Sequence, residues 1–360
     1  MKATQDLHAA GQSLWLDNIT RDLLTSGTLK RYIDTLSVTG LTSNPTIFDH
    51  AVSKSAAYDL DIQTMTKSGV PSEDLFFRLA IADLQQAADL FRPIHDRTAG
   101  VDGWVSLEVS PLLAYDTEKT VEAAKSLHAA AARPNLFIKI PGTKEGAPAI
   151  EEAIFSGVPV NVTLLFSQAH YLAAAEAYMR GLERRIAAGL SPDVRSVASL
   201  FISRWDKATM DELPGELRDR LGIAIAGSAY AAYRDLIDSD RWQRLENFGA
   251  RPQRLLFAST GAKDPKAPDT LYIGALAAPN TVNTMPEETL LDFADHGKVD
   301  GVLPRDGRAA SATRSEVIKA GVDLDALASD LQSEGAKSFD ESWADLLKAI
   351  ETKSRALHRS

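Results

Sequence analysis

The stretch Leu136-Phe137-Ile138-Lys139-Ile140-Pro141-Gly142-Thr143 is a short apolar run with one lysine inside it. Apolar runs of this length, closed by Pro and Gly, read as buried strands of a parallel sheet. Lysine is almost never buried unless something holds it there, and burial disfavours an ammonium. A free amine facing a carbonyl compound condenses with it to a Schiff base. The ordinary alternative is a lysine at a strand end whose stem reaches out to water. What surrounds this strand decides between the two.

Outward from it, short apolar runs alternate with helical spacing along most of the chain. Strands are expected at 13–17, 37–42 and 103–109 before the lysine strand, and at 158–163, 196–202, 254–259 and 270–274 after it. Helices are expected between them. In the longest, Phe76, Ala80, Leu84, Ala87 and Phe91 share one face and Ser72 is a candidate N-cap. Ser167 is placed to cap an alanine-rich helix that stops near Gly189. Eight strands in one repeating βα rhythm predict an α/β protein, a closed (β/α)8 TIM barrel with additional helices. A single domain over 1–360 is expected, with a helical insertion at about 46–100 and a helical C-terminal extension at about 301–360. Within the extension, 301–314 reads as a polar connection, and Ser338 with Glu341 reads as a capping box opening a last helix. A doubly wound open sheet is the alternative, but no Gly-x-Gly-x-x-Gly and no Gly-x-x-x-x-Gly-Lys-Ser/Thr occurs to support nucleotide binding.

The 360 residues include no cysteine, which excludes disulfides, thiolate nucleophiles and thiolate metal sites. A net charge of −10 without a basic block argues against a nucleic-acid partner. No apolar run is long enough to cross a bilayer and the first residues lack a signal-peptide core, so a cytoplasmic protein with no membrane partner is expected. No histidine falls in a metal-ligand spacing, and Gly-x-Ser-x-Gly is absent, so metalloprotease and serine-hydrolase chemistry have no support.

In such a barrel the chemistry lies at the C-terminal ends of the strands. Those ends carry Asp17, Asn44, Glu108, Lys139, Asn161 with Thr163, Ser199 with Arg204, and Ser259 with Lys263. Each has an ordinary account: Asp17 or Thr163 as a cap, Asn44 as a turn residue before Pro45, Glu108 as an ion-pair partner. Together they would form one polar rim around one lysine.

The chain resembles the transaldolase family of Schiff-base aldolases. The matching stretches are Leu14-Trp15-Leu16-Asp17-Asn18-Ile19, Gly40-Leu41-Thr42-Ser43-Asn44-Pro45-Thr46-Ile47, Val105-Ser106-Leu107-Glu108-Val109-Ser110, Phe137-Ile138-Lys139-Ile140-Pro141, Asn161-Val162-Thr163-Leu164-Leu165-Phe166-Ser167 and Thr281-Val282-Asn283-Thr284-Met285-Pro286. They keep the family's order to about residue 295, and the longer bacterial variety is the nearest in type. The resemblance implies Lys139 as the Schiff-base lysine and Asp17 as the proton-transfer acid/base. It implies Glu108 acting through a water that Thr163 orients, and Asn44, with Asn161, on the substrate's hydroxyl side. Ser199 and Arg204 keep the phosphate-site spacing. Ser259 and Lys263 stand where a second phosphate arginine belongs, with Lys263 a point charge in place of a fork.

The implied activity is dihydroxyacetone transfer between sugar phosphates of the pentose phosphate pathway, without metal or organic cofactor, by a monomer or homodimer. The alternatives are an aldolase that releases free dihydroxyacetone from fructose 6-phosphate, and a non-catalytic sugar-phosphate-binding barrel. Glu108, where a simple aldolase would carry glutamine, leans toward transfer.

Overall fold

In a computed structural model, which describes residues 2–357, eight parallel strands close into a barrel in chain order. They are β1 (Gln12–Asp17), β2 (Val38–Thr42), β3 (Trp104–Glu108), β4 (Leu136–Pro141), β5 (Val160–Leu165), β6 (Ser196–Phe201), β7 (Arg254–Ala258) and β8 (Thr281–Met285), and β8 pairs with β1. Nearly every strand residue is buried, as expected where helices cover a sheet outside and side chains fill it inside.

The lower end of the barrel is filled by aromatic rings. Trp104 stacks on Phe137 with centroids 4.1 Å apart, and Trp15 lies 6.2 Å from Phe137. Trp15 fits because residue 40 is glycine: a Cβ there would stand 2.6 Å from its indole ring. Asp102 binds Ser13 Oγ at 2.5 Å and Trp15 Nε1 at 3.1 Å, and Arg254 spans Ser13 Oγ and the Val101 and Thr281 carbonyls.

Four expectations need correction. Residues 270–274 are not the eighth strand; they fall in and before the short helix Leu271–Ala275, whose Tyr272 hydroxyl bonds to Asp206. A five-residue apolar run does not distinguish a strand from a buried helical turn. The true β8 was masked by its polar residues, Thr281, Asn283 and Thr284. All three are buried with hydrogen-bond partners, Thr281 on the Ala278 carbonyl, Asn283 on Thr260 and Thr284 on Thr42. The stretch 301–314 is only partly a connection, since the helix Arg308–Lys319 begins inside it. Ser338 and Glu341 open no helix, because Leu324–Leu357 is one unbroken helix of 34 residues. Ser72 is the first residue of Ser72–Arg97, not its cap; Pro71 precedes it with no side-chain cap. Ser167 does cap, accepting from the His170 amide at 3.0 Å.

Two sets of extra helices shape the mouth of the barrel. Between β2 and β3 lie Pro45–Lys54, Asp59–Lys67 and Ser72–Arg97, the last burying Phe76, Ala80, Leu84, Ala87 and Phe91. The C-terminal helix Leu324–Leu357 packs chiefly on Pro45–Lys54 and also reaches β5. Its far end is tied down by Lys353, which bonds to the Val52 and Ser55 carbonyls and pairs with Asp59. Among the described residues no helix is long and apolar enough to cross a membrane.

Candidate active site

Parallel pairing decides what meets at the rim. Glu108 is the register partner of Lys139, and Lys139 that of Asn161, so their side chains leave neighbouring strands on the same face. Lys139 and Glu108 are each 5% exposed, and Lys139 Nζ lies 3.1 Å from Glu108 Oε2. The contact is an ion pair, and Nζ also donates to the Ser43 carbonyl at 3.3 Å. Neither Glu108 oxygen, nor the buried Thr163 hydroxyl, has a hydrogen-bond partner among the described residues. Burial pushes the Glu108 carboxyl up, Lys139 pulls it back, and the charge of Asp17 adds to the rise.

Asp17 ends β1 and opens onto a cavity of about 270 Å³ that Lys139 and Thr163 also line. Thr42, its register partner on β2, donates to Asp17 Oδ1 at 2.7 Å and is itself 2.6 Å from the Thr284 hydroxyl. Although part of Asp17 is exposed, its carboxyl is packed in protein. Burial raises its pKa against the attraction of Lys139, the Thr42 bond and Lys263.

The other expected residues divide. Asn44 lines the cavity while its Oδ1 caps Pro45–Lys54 through the Ile47 amide at 3.1 Å. Its structural part is thus that of a helix cap rather than of the turn residue expected before Pro45. Asn161 lies below the cavity, donating to Ser106 Oγ at 3.1 Å and accepting from Ser199 Oγ at 2.7 Å. Ser199 reaches the cavity, as does Ser259, which sits at φ 55° and is 3.0 Å from the Ser203 hydroxyl.

Arg204 and Lys263 also line the cavity, and neither makes an ion pair or hydrogen bond with a described residue. Arg204 is half-buried, which lowers its pKa, with Glu334 opposing. Lys263, at the rim, is lowered by partial desolvation and then by Lys207 and Arg204, with Asp17 opposing. Cations that crowd one another without acidic partners suit a multiply charged anion.

Several site groups were not anticipated. Thr42 was legible as a polar strand end; Thr284 was hidden by the misplaced β8. Phe339, on the C-terminal helix, lines the cavity with its ring centroid 5.6 Å from Lys139 Nζ. It shares helical spacing with Trp343 and Leu346, and no sequence signal sets it apart from them.

A larger cavity, about 580 Å³, opens at the opposite end of the barrel among the starts of the strands. Two of its three arginines, Arg254 and Arg195, are spent on backbone carbonyls of the protein itself, and the third, Arg251, is exposed. The smaller one, at the C-terminal ends, carries the converging reactive groups.

Fold and site define an α/β-barrel enzyme with a buried lysine and two carboxyls of raised pKa at its C-terminal face. The chain belongs to the Transaldolase/Fructose-6-phosphate aldolase family, whose model matches residues 14–350. The match extends past residue 295 and takes in most of the C-terminal helix. Proteins named Transaldolase from Parafrankia sp. (strain EAN1pec), Thermobifida fusca (strain YX) and Saccharopolyspora erythraea are similar to it. They are 45%, 44% and 45% identical, with 97%, 96% and 96% of this chain and 97%, 96% and 95% of theirs covered.

Proposed function

We propose that this enzyme transfers a dihydroxyacetone unit from fructose 6-phosphate or sedoheptulose 7-phosphate to an aldose phosphate through a Schiff base on Lys139. The observation that carries the reading is the Lys139–Glu108 approach at 3.1 Å, buried, with Asp17 on the same cavity. The full-length similarity to proteins named Transaldolase supports it.

Lys139 enters as the free amine, with Glu108 as the nearest proton acceptor. It attacks the ketone carbon, and the carbinolamine loses water with a proton supplied from Glu108. The unpartnered Glu108 oxygens and Thr163 hydroxyl are the right donor and acceptor set for a water that carries this proton. The iminium draws electrons from the C3–C4 bond. Asp17 takes the C4 hydroxyl proton, and the aldose phosphate departs. The remaining three carbons rest as an enamine on Lys139 until another aldose phosphate arrives, when Asp17 returns the proton. Arg204 and Lys263 hold the phosphate and align the aldehyde. Asn44 faces the substrate hydroxyls, while Asn161 and Ser199 brace the floor.

The test is glyceraldehyde 3-phosphate formation from fructose 6-phosphate with and without erythrose 4-phosphate. Formation that needs the acceptor is expected. Equal rates without it would replace transfer by simple cleavage, and no formation would leave only sugar-phosphate binding.

A further inference from the structure

One face of the C-terminal helix lies over the barrel mouth. Gln332, Gly335 and Phe339, at i, i+3 and i+7, share that face. Gln332 Nε2 donates to the Leu164 carbonyl at 2.8 Å and the Gly142 carbonyl at 3.2 Å, which fastens the helix to the ends of β5 and β4. Leu164 holds φ 59°, a left-handed conformation that a leucine adopts only where its surroundings enforce it. Gly335 marks a close approach: a Cβ there would stand 3.0 Å from Leu164 Cδ2 and 3.4 Å from Arg204 Nη1. One turn further, Phe339 is 6% exposed and presents its ring toward Lys139 Nζ, 5.6 Å from the centroid. Among the described residues, the polar groups within ion-pair or hydrogen-bond range of Nζ are Glu108 and the Ser43 carbonyl. The ring therefore stands over the nitrogen on the wall of the cavity that both residues line.

Resting on the Schiff-base reading above, we propose that Phe339, seated by Gln332 and Gly335, is a specificity-determining residue. It decides whether the three-carbon enamine on Lys139 passes to an aldehyde or is lost to water. The competing reaction consumes one water. One of its hydrogens ends on C3, its oxygen becomes the ketone oxygen at C2, and its other hydrogen ends on the lysine nitrogen as the C–N bond breaks. Free dihydroxyacetone leaves and the amine is regenerated. Both additions need water beside the C2–C3 unit, the space that an apolar ring over Nζ denies it. The acceptor aldehyde is brought to C3 by its phosphate on Arg204 and does not depend on open access from solvent.

The experiment measures dihydroxyacetone released per transfer, from fructose 6-phosphate with erythrose 4-phosphate, in the full chain and in Phe339→Ala and Phe339→Leu. Borohydride trapping on Lys139 is followed in parallel. Phe339→Ala is expected to raise the ratio about tenfold with the adduct still formed, and Phe339→Leu, which keeps an apolar plug, to restore most of it. A merely structural role would lower both products together and leave the ratio alone. An unchanged ratio with the adduct present overturns this inference and spares the Schiff-base reading. No adduct in the unmodified protein overturns both. If circular dichroism shows Phe339→Ala unfolded, Gln332→Ala, which loosens the same helix without emptying the core, carries the test. It is expected to raise the ratio in the same direction, and an unchanged ratio there overturns the inference.

Discussion

Glu108 and Lys139 are register partners on adjacent parallel strands, and their side chains meet 3.1 Å apart in the buried floor of the site. Taking a carboxyl and an amine so far out of water carries a desolvation cost that their attraction need not return, so stability alone does not account for the pair. On the proposed mechanism, Glu108 is the proton acceptor and donor placed beside the reacting nitrogen.

Replacing the amine tests this directly. Lys139→Met keeps the length of the side chain and removes the nucleophile. Turnover is expected to fall on the order of 10⁴-fold or more, and borohydride with fructose 6-phosphate should leave no mass adduct. An adduct that persists on another residue would move the site.

Asp17 predicts the acid side of the pH profile. Its carboxyl is pushed up by burial, and it must be ionised to take the C4 hydroxyl proton. Activity should therefore fall as pH falls through a pKa above the usual carboxylate range. The acid limb of kcat/KM against pH is the measurement, and a limb at the pKa of an exposed aspartate would contradict the role. Asp17→Asn should lower kcat about 10²–10⁴-fold with the Lys139 adduct still trapped.

What the sequence could show follows from what each feature depends on. Strands β1 to β7 were legible because a buried parallel strand needs an apolar run, and their polar ends stood out against it. Strand β8 was not, because Thr281, Asn283 and Thr284 find partners only in the closed barrel, while 270–274 imitates a strand. Lys139, Glu108, Asp17 and Thr163 were legible as strand-end residues. Asn44 and Asn161 were legible as positions, but their engagement with the Ile47 amide and with Ser106 and Ser199 is decided by packing. Phe339 comes from almost 200 residues downstream of Thr143, and only the path of the C-terminal helix brings it to Lys139.

Arg204 is half-buried and makes no ion pair among the described residues, so its charge is available to a phosphate. Hydrogen bonds to charged groups contribute about 1.5–3 kcal/mol, so Arg204→Ala should raise KM for sugar phosphates about 10–100-fold. Arg204→Lys, which keeps charge but loses the fork, should fall between. Initial rates with glyceraldehyde in place of glyceraldehyde 3-phosphate as acceptor provide the control. An equal loss with the unphosphorylated aldehyde would place Arg204 elsewhere in the reaction.

Two residues beyond Arg204, Asp206 predicts how the fold itself responds to pH. Its Oδ1 accepts from the Leu221 amide at 2.9 Å, and its Oδ2 accepts from the Gly222 amide at 3.1 Å and the Tyr272 hydroxyl at 2.7 Å. It thereby fastens the start of the helix Leu221–Ile237 and the helix that replaced the expected strand. Burial nonetheless outweighs these bonds and pushes its carboxyl up to about 6. Between the ordinary aspartate value, about 4, and 6, the folded protein holds a proton that the unfolded chain has released. Stability from this group is therefore greatest below that window and falls as pH rises through it, by up to about 3 kcal/mol. Above pH 6 the contribution is flat. Asp206→Asn cannot titrate, so urea unfolding of the two proteins at pH 4.5 and pH 7 isolates the effect, other groups cancelling in the difference. The natural protein should lose stability relative to the variant on going from pH 4.5 to 7. The variant should be about 1–2 kcal/mol less stable at pH 4.5, because its amide nitrogen cannot accept from a backbone N–H. A stability difference that does not change with pH would mean that Asp206 is ionised in the fold throughout, with its three donors outweighing its burial.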